Sequence, residues 1–127
     1  MAPGLKLDAA GTQKLKTIEE AHALLQRVHG QVENFGLALK QNKPASTYLQ
    51  AIKRTLPLLV GMLKGQFGLI ADQAATLNLN ASRGGSDTVR LRTLREGVGS
   101  LRQQLDIAIV RIKDNHAVKE EKPQLPA

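Results

Sequence analysis

Between Ser86 and Asn115 the chain reads SDTVRLRTLREGVGSLRQQLDIAIVRIKDN, and Leu91, Val98, Leu105 and Ile112 recur at every seventh position. Leu94, Leu101 and Ala108 fill the intermediate positions, so one apolar stripe runs the length of a single helix. A stripe of that length has to be covered, and the rest of the chain must supply the cover.

Two further segments have the same character. Ile18, Ala21, Leu25, Val28, Val32, Phe35 and Leu39 alternate in steps of three and four, which predicts a long amphipathic helix ending near Gln41. Its start lies near Thr12 or near Thr17; Thr17-Ile18-Glu19-Glu20 matches a capping box, and the residues do not separate the two. Asn42-Lys43-Pro44 breaks the helix, and so short a connector to Ser46 leaves room only for an antiparallel neighbour. Leu49, Ile52, Leu56, Leu59, Leu63, Phe67, Ile70, Ala74 and Leu77 then hold one apolar phase straight across Pro57. That predicts a single second helix kinked at Pro57, while a break there, with Thr55 capping a new helix, would raise the count to four. Gly61, Gly65 and Gly68 read as close-packing positions, each costing about 1 kcal/mol relative to alanine. Residues 78–86, NLNASRGGS, read as a loop.

The expected fold is therefore all-α: an elongated, antiparallel up-down-up three-helix bundle with helices about 42 to 50 Å long. Residues 12–115 make the bundle, 1–11 a flexible leader and 116–127 a disordered tail. The only aromatic residues are Phe35, Tyr48 and Phe67. A core of Leu, Ile, Val and Ala suits helices better than sheets.

The same residues exclude several kinds of chemistry. There is no cysteine, hence no disulfide, thiolate metal site or cysteine nucleophile. The N-terminus lacks a signal-peptide core, which points to an intracellular protein, nuclear or cytoplasmic. No Ser-His-Asp arrangement, phosphate loop or dinucleotide fingerprint is present, and Gly84-Gly85 lacks the Gly-Lys-Ser/Thr that binds phosphate. The run LPLLVGMLKGQFGLIA is interrupted by Lys64, Gln66 and Asp72 within the roughly 20 residues of a bilayer crossing, so no membrane partner is expected. Glu19, His22, Gln26, His29 and Glu33 line one face of the first helix. Glu19-x-x-His22 has the spacing of helical di-metal sites, but the second Glu-x-x-His and the further carboxylates are missing, so the stripe reads as a polar flank of the core. Neither an enzyme nor a bound cofactor or metal is expected.

Within that first helix, LQRVHGQVENFGLAL carries Gly30 and Gly36 six residues apart. The segment resembles the phosphoacceptor helix of histidine phosphotransfer domains. Gln26 stands where that family has its histidine, so the resemblance implies an adaptor that docks a receiver domain without being phosphorylated.

Basic residues supply the remaining signal. The net charge is +7 and the pI about 10.1, spread as +2 over residues 1–43, +3 over 44–85 and +2 over 86–127. Arg90, Arg95, Arg102 and Arg111 flank the apolar seam of the last helix, with Arg92 and Arg83 nearby. Arg83, Arg90, Arg92, Arg95 and Arg102 are thus the candidate contacts to a partner or to phosphate, unless their stems simply cover the seam. Val118-Lys119-Glu120-Glu121 matches the short apolar-Lys-x-Glu pattern of SUMO attachment, which marks Lys119 for modification. The leading expectation is a non-enzymatic helical-bundle interaction or assembly subunit of a larger intracellular complex or a homo-oligomer, with an acidic or helical protein partner and a transcription or chromatin setting. The alternatives are a nucleic-acid-binding protein using the last helix and the phosphotransfer-like adaptor; scarce aromatics argue against binding by base stacking.

Overall fold

The computed structural model describes residues 6–83 and 85–118. They form four helices: α1 (Ala9–Lys40), α2 (Ser46–Leu63), α3 (Gly68–Ser82) and α4 (Asp87–His116). The fold is all-α and bundle-like, but the helix count is four rather than three.

The fourth helix does not come from a break at Pro57. Helix α2 continues through that exposed proline, and the chain turns instead at Lys64–Phe67. Proline removes one donor and frees one carbonyl, a loss that an exposed helix face can leave to water. The turn is where Gly65 and Gly68 stand, residues that gain least from helix and cost least in a reversal. Leu49, Ile52, Leu56, Leu59, Leu63, Phe67, Ile70, Ala74 and Leu77 all still face the core, six of them buried below 5% and Leu49, Phe67 and Ile70 less deeply. A constant apolar phase is satisfied equally by a straight helix and by a hairpin that folds both halves onto the same partners.

The other boundaries shift for local reasons. Helix α1 begins before Thr12 because the Asp8 carboxylate accepts the Gly11 N–H at 2.7 Å and the Asp8 carbonyl accepts the Thr12 N–H at 2.9 Å. Thr17 lies inside the helix, its hydroxyl bonded to the Gln13 carbonyl. At the other end Asn42 takes φ 56°, and the Lys43 N–H reaches the Ala38 carbonyl at 2.8 Å, a Schellman closure with asparagine at the left-handed position. Helix α3 runs on to Ser82, well into the expected loop, and the Ser86 hydroxyl caps α4 by accepting the Val89 N–H.

Each helix packs on its neighbours in sequence, α4 closes onto α1, and the backbones of the diagonal pairs stay apart. The result is a square, up-down-up-down bundle. Cross-helix partners Glu33–Arg95, Gln26–Arg102 and His22–Asp106 descend α1 while they ascend in number along α4, which sets that pair antiparallel. Fully buried Ile18, Leu25, Val28, Phe35, Ile52, Leu56, Leu59, Leu94 and Leu105 form the interior. Each such side chain contributes about 1.5 to 3 kcal/mol of transfer free energy.

The helices are unequal. With 32 and 30 residues α1 and α4 are about 48 and 45 Å long, against about 27 and 22 Å for the 18-residue α2 and 15-residue α3. One end of the α1–α4 pair therefore projects past the α2–α3 turn as a two-helix stem. A β-bridge between Leu7 and Ala117 ties its tip, with Asp8 N–H to His116 carbonyl at 2.9 Å and Val118 N–H to Lys6 carbonyl at 2.8 Å. Residues Lys6–Gly11 and His116–Val118, assigned by sequence to leader and tail, thus close the stem. The rest of those segments, 1–5 and 119–127, lies outside the described residues.

Two glycines two residues apart in α4 are in opposite situations. A Cβ on Gly97 would collide with the Leu77 side chain of α3, whereas one on Gly99 would meet nothing within 4 Å. Gly99→Ala should raise the unfolding free energy by about 0.5 to 1 kcal/mol through helix propensity. Gly97→Ala should lower it by about 1 kcal/mol, since overpacking against buried Leu77 outweighs the same propensity gain. Urea unfolding of both variants beside the parent protein measures the two signs; a stabilised Gly97→Ala would contradict the α3–α4 packing.

Candidate functional site

The outer edge of the α1–α4 pair gathers most of the polar side chains singled out in the sequence. Arg95 grips Glu33 with two hydrogen bonds, Nε and Nη2 each 3.1 Å from a carboxylate oxygen. Both side chains are about half exposed, at 50% and 44%. The Arg95 hydrogen bonds hold the Glu33 carboxyl below its ordinary 4.5; partial desolvation opposes them, and the charges of Arg95 and, more weakly, His29 assist. Two turns away Arg102 donates to Gln26 Oε1, while its own Nε is buried without a partner among the described residues. One turn further still, His22 Nε2 lies 3.4 Å from an Asp106 oxygen. The edge is a ladder of three polar rungs laid over the apolar seam, like the flanking positions of a coiled coil.

The five candidate arginines do not form one patch. Arg95 and Arg102 belong to the ladder, and Arg92 stands exposed beside them with no hydrogen bond or ion pair among the described residues. Arg90 lies at the opposite edge of α4, where its guanidinium binds the Asp87 carboxylate and the Arg83 carbonyl. It fastens the α3–α4 turn, and Arg83 enters that lock through its backbone. Lys119 lies outside the described residues.

Gln26, Glu33, His22 and Asp106 complete the face. Three of them were legible as the polar stripe of α1; that this stripe meets the arginines of α4 is a matter of register between elements some seventy residues apart. Gly30 and Gly99 lie within the same face: Gly30 follows Gln26 by one turn, Gly99 falls between Arg95 and Arg102, and the rungs bring the two glycines to one level. Both are exposed, and both have open space where a side chain would be. By contrast, Gly36 on the same helix is buried against Leu91 and Arg95 of α4.

Chemically this face presents fixed charges, amides and bare backbone. Among the described residues no three His, Asp or Glu side chains converge as metal ligands, and no helix is long and apolar enough to cross a membrane. No family model matches the chain, and neither a curated protein nor a solved structure matches it.

The Glu33–Arg95 pair makes a pH-dependent contribution whose sign follows from its geometry. The folded carboxyl titrates below 4.5, so the stabilisation is complete above that value and is lost as pH falls through the lower folded one. Arg95→Gln should cost between a few tenths and about 1 kcal/mol at pH 7, as for other solvent-exposed pairs. The difference from the parent should fade below pH 4.5. Urea midpoints of both proteins at pH 7 and pH 3 report it; an equal gap at both would mean that Arg95 acts through packing alone.

Proposed function

We propose that this chain is a non-enzymatic interaction subunit and that the outer α1–α4 face receives a protein partner. The observation that carries the reading is the pair of exposed mid-helix glycines, Gly30 and Gly99, at one level of that face. Each costs its helix about 1 kcal/mol relative to alanine. Unlike Gly36 and Gly97, neither gives anything back through packing among the described residues. Bare backbone at the centre of a face allows close approach of another chain, and the polar rungs around it supply orientation. The net charge of +7 favours an acidic partner. A nuclear transcription or chromatin setting draws support from that basicity and from the Val118–Glu121 pattern.

A second reading is favoured by the position of Gln26, exposed in the middle of α1 with Gly30 one turn on. There the face would dock a receiver domain in the manner of a phosphotransfer adaptor lacking its phosphoacceptor. A nucleic-acid role would rest on Arg92 with Arg95 and Arg102; since Glu33 already neutralises Arg95, the phosphate-facing charge on this edge is small. Binding that weakens steeply with salt, with a lower slope after substitution of those three arginines, would be its mark.

Gly30→Arg and Gly99→Arg project into open space and should leave the unfolding transition within about 1 kcal/mol of the parent. Affinity purification from the native source, with each variant beside the parent, should recover a protein partner with the parent and at least tenfold less with the variants. A receiver domain among the partners, lost on changing Gln26, would select the second reading. A stable monomer by light scattering that recovers no partner, or equal recovery by all three proteins, would overturn the proposed face.

A further inference from the structure

Where α1 and α4 outrun the α2–α3 turn, the bundle has a step, and a groove of about 320 Å³ lies in its angle. Its floor and one wall are apolar: Phe67, Leu69 and Ile70 from the start of α3, and Ile107, Ala108 and Ile112 from α4. Leu69 is 84% exposed, the highest value among the large hydrophobic side chains of the described residues, and Ile107 beside it is 38% exposed. Such exposure at the mouth of a concave apolar site marks a place where burial is still to be gained.

Among the described residues Lys14, Arg111 and His116 line the rim, and no Asp or Glu side chain does. Arg111 has no ion pair or hydrogen bond among the described residues. Lys14 rests 3.4 Å from His116 Nε2, and His116 Nδ1 lies 3.1 Å from Asp8 Oδ1. The groove also abuts the N-terminus of α3, where Phe67 offers no side-chain cap and the first turn holds no acidic residue. Two permanent cations and the positive end of a helix thus stand over an apolar floor.

We propose that this step groove is a binding site for a free, medium-chain alkyl carboxylate. The chain would lie on Phe67, Leu69, Ile70, Ile107 and Ala108, with the carboxylate between Arg111 and Lys14. An alkyl chain would cover exposed Leu69 and Ile107, which neither water nor a small anion does. A phosphate or other small dianion would satisfy the rim but leave the floor wet. An alcohol or amine of equal length would satisfy the floor but leave the rim unpaired or repelled.

Decanoate, below its self-association concentration, is the probe, and amide NMR shifts of the full chain are the readout. Saturable shifts are expected at residues 67–70 and 104–112. Affinity should rise by roughly fourfold per methylene from hexanoate to decanoate and flatten beyond. Decanol should bind at least tenfold more weakly and decylamine should not bind. Arg111→Glu and Leu69→Gln alter exposed side chains, and with helicity unchanged each should weaken decanoate at least tenfold. Shifts scattered over the surface, equal binding of decanol, an unchanged affinity in the two variants, or no saturable binding would each overturn the site.

Discussion

From Leu91 against Gly36 at one end to His116 against Gly11 at the other, α1 and α4 pack antiparallel over their whole length. The two other helices depend on this contact, because each is too short to hold its shape alone and buries its stripe only by lying against one member of the long pair and against the other short helix. Chain geometry makes the long pair costly to form, since its partners are distant in sequence. Burial of Leu25 and Val28 on α1 and of Val98, Leu101 and Leu105 on α4 offsets that cost, and the stem ties of Leu7 and Ala117 close the pair.

Inequality of length follows from the turn at Lys64–Phe67 and has consequences at both the edge and the end of the bundle. Because the short pair stops early, the stem stands free on one side and leaves an apolar angle at its foot. Because the short pair covers only the inner sides of α1 and α4, their outer edge is left to polar rungs and two bare glycines. Edge and step are separate surfaces with different chemistry: the first offers paired charges and open backbone, the second an apolar floor beneath Lys14 and Arg111.

Composition of the core was almost wholly readable from spacing. Every residue of the three apolar stripes lies in the interior or packs on it, and the all-α class follows from the same pattern. What spacing could not convey was direction. The stripe from Leu49 to Leu77 holds one phase whether its helix runs straight or doubles back, and Pro57 drew attention as the stronger breaker although it faces water. Gly11 looked like the end of a leader because its role depends on His116, more than a hundred residues away. Heptad position places the arginines beside the seam, while only the register of α1 and α3 against α4 separates Arg95 and Arg102 from Arg90. The step groove was out of reach, being made by where an element stops and not by any motif.

All of this rests on the α2–α3 hairpin, which can be measured directly in a chain without cysteines. Spin labels on cysteines placed at Thr47 and Ser82, both exposed, would report the distance between the first turn of α2 and the last of α3. Adjacent antiparallel helices packed 8 to 10 Å apart put those labels within about 20 Å of each other. A single continuous helix would put them about 52 Å apart. Pulsed dipolar spectroscopy should give one narrow distribution at the short distance; a dominant population near the long one would contradict the four-helix bundle, and with it both the open α1–α4 edge and the groove at its step.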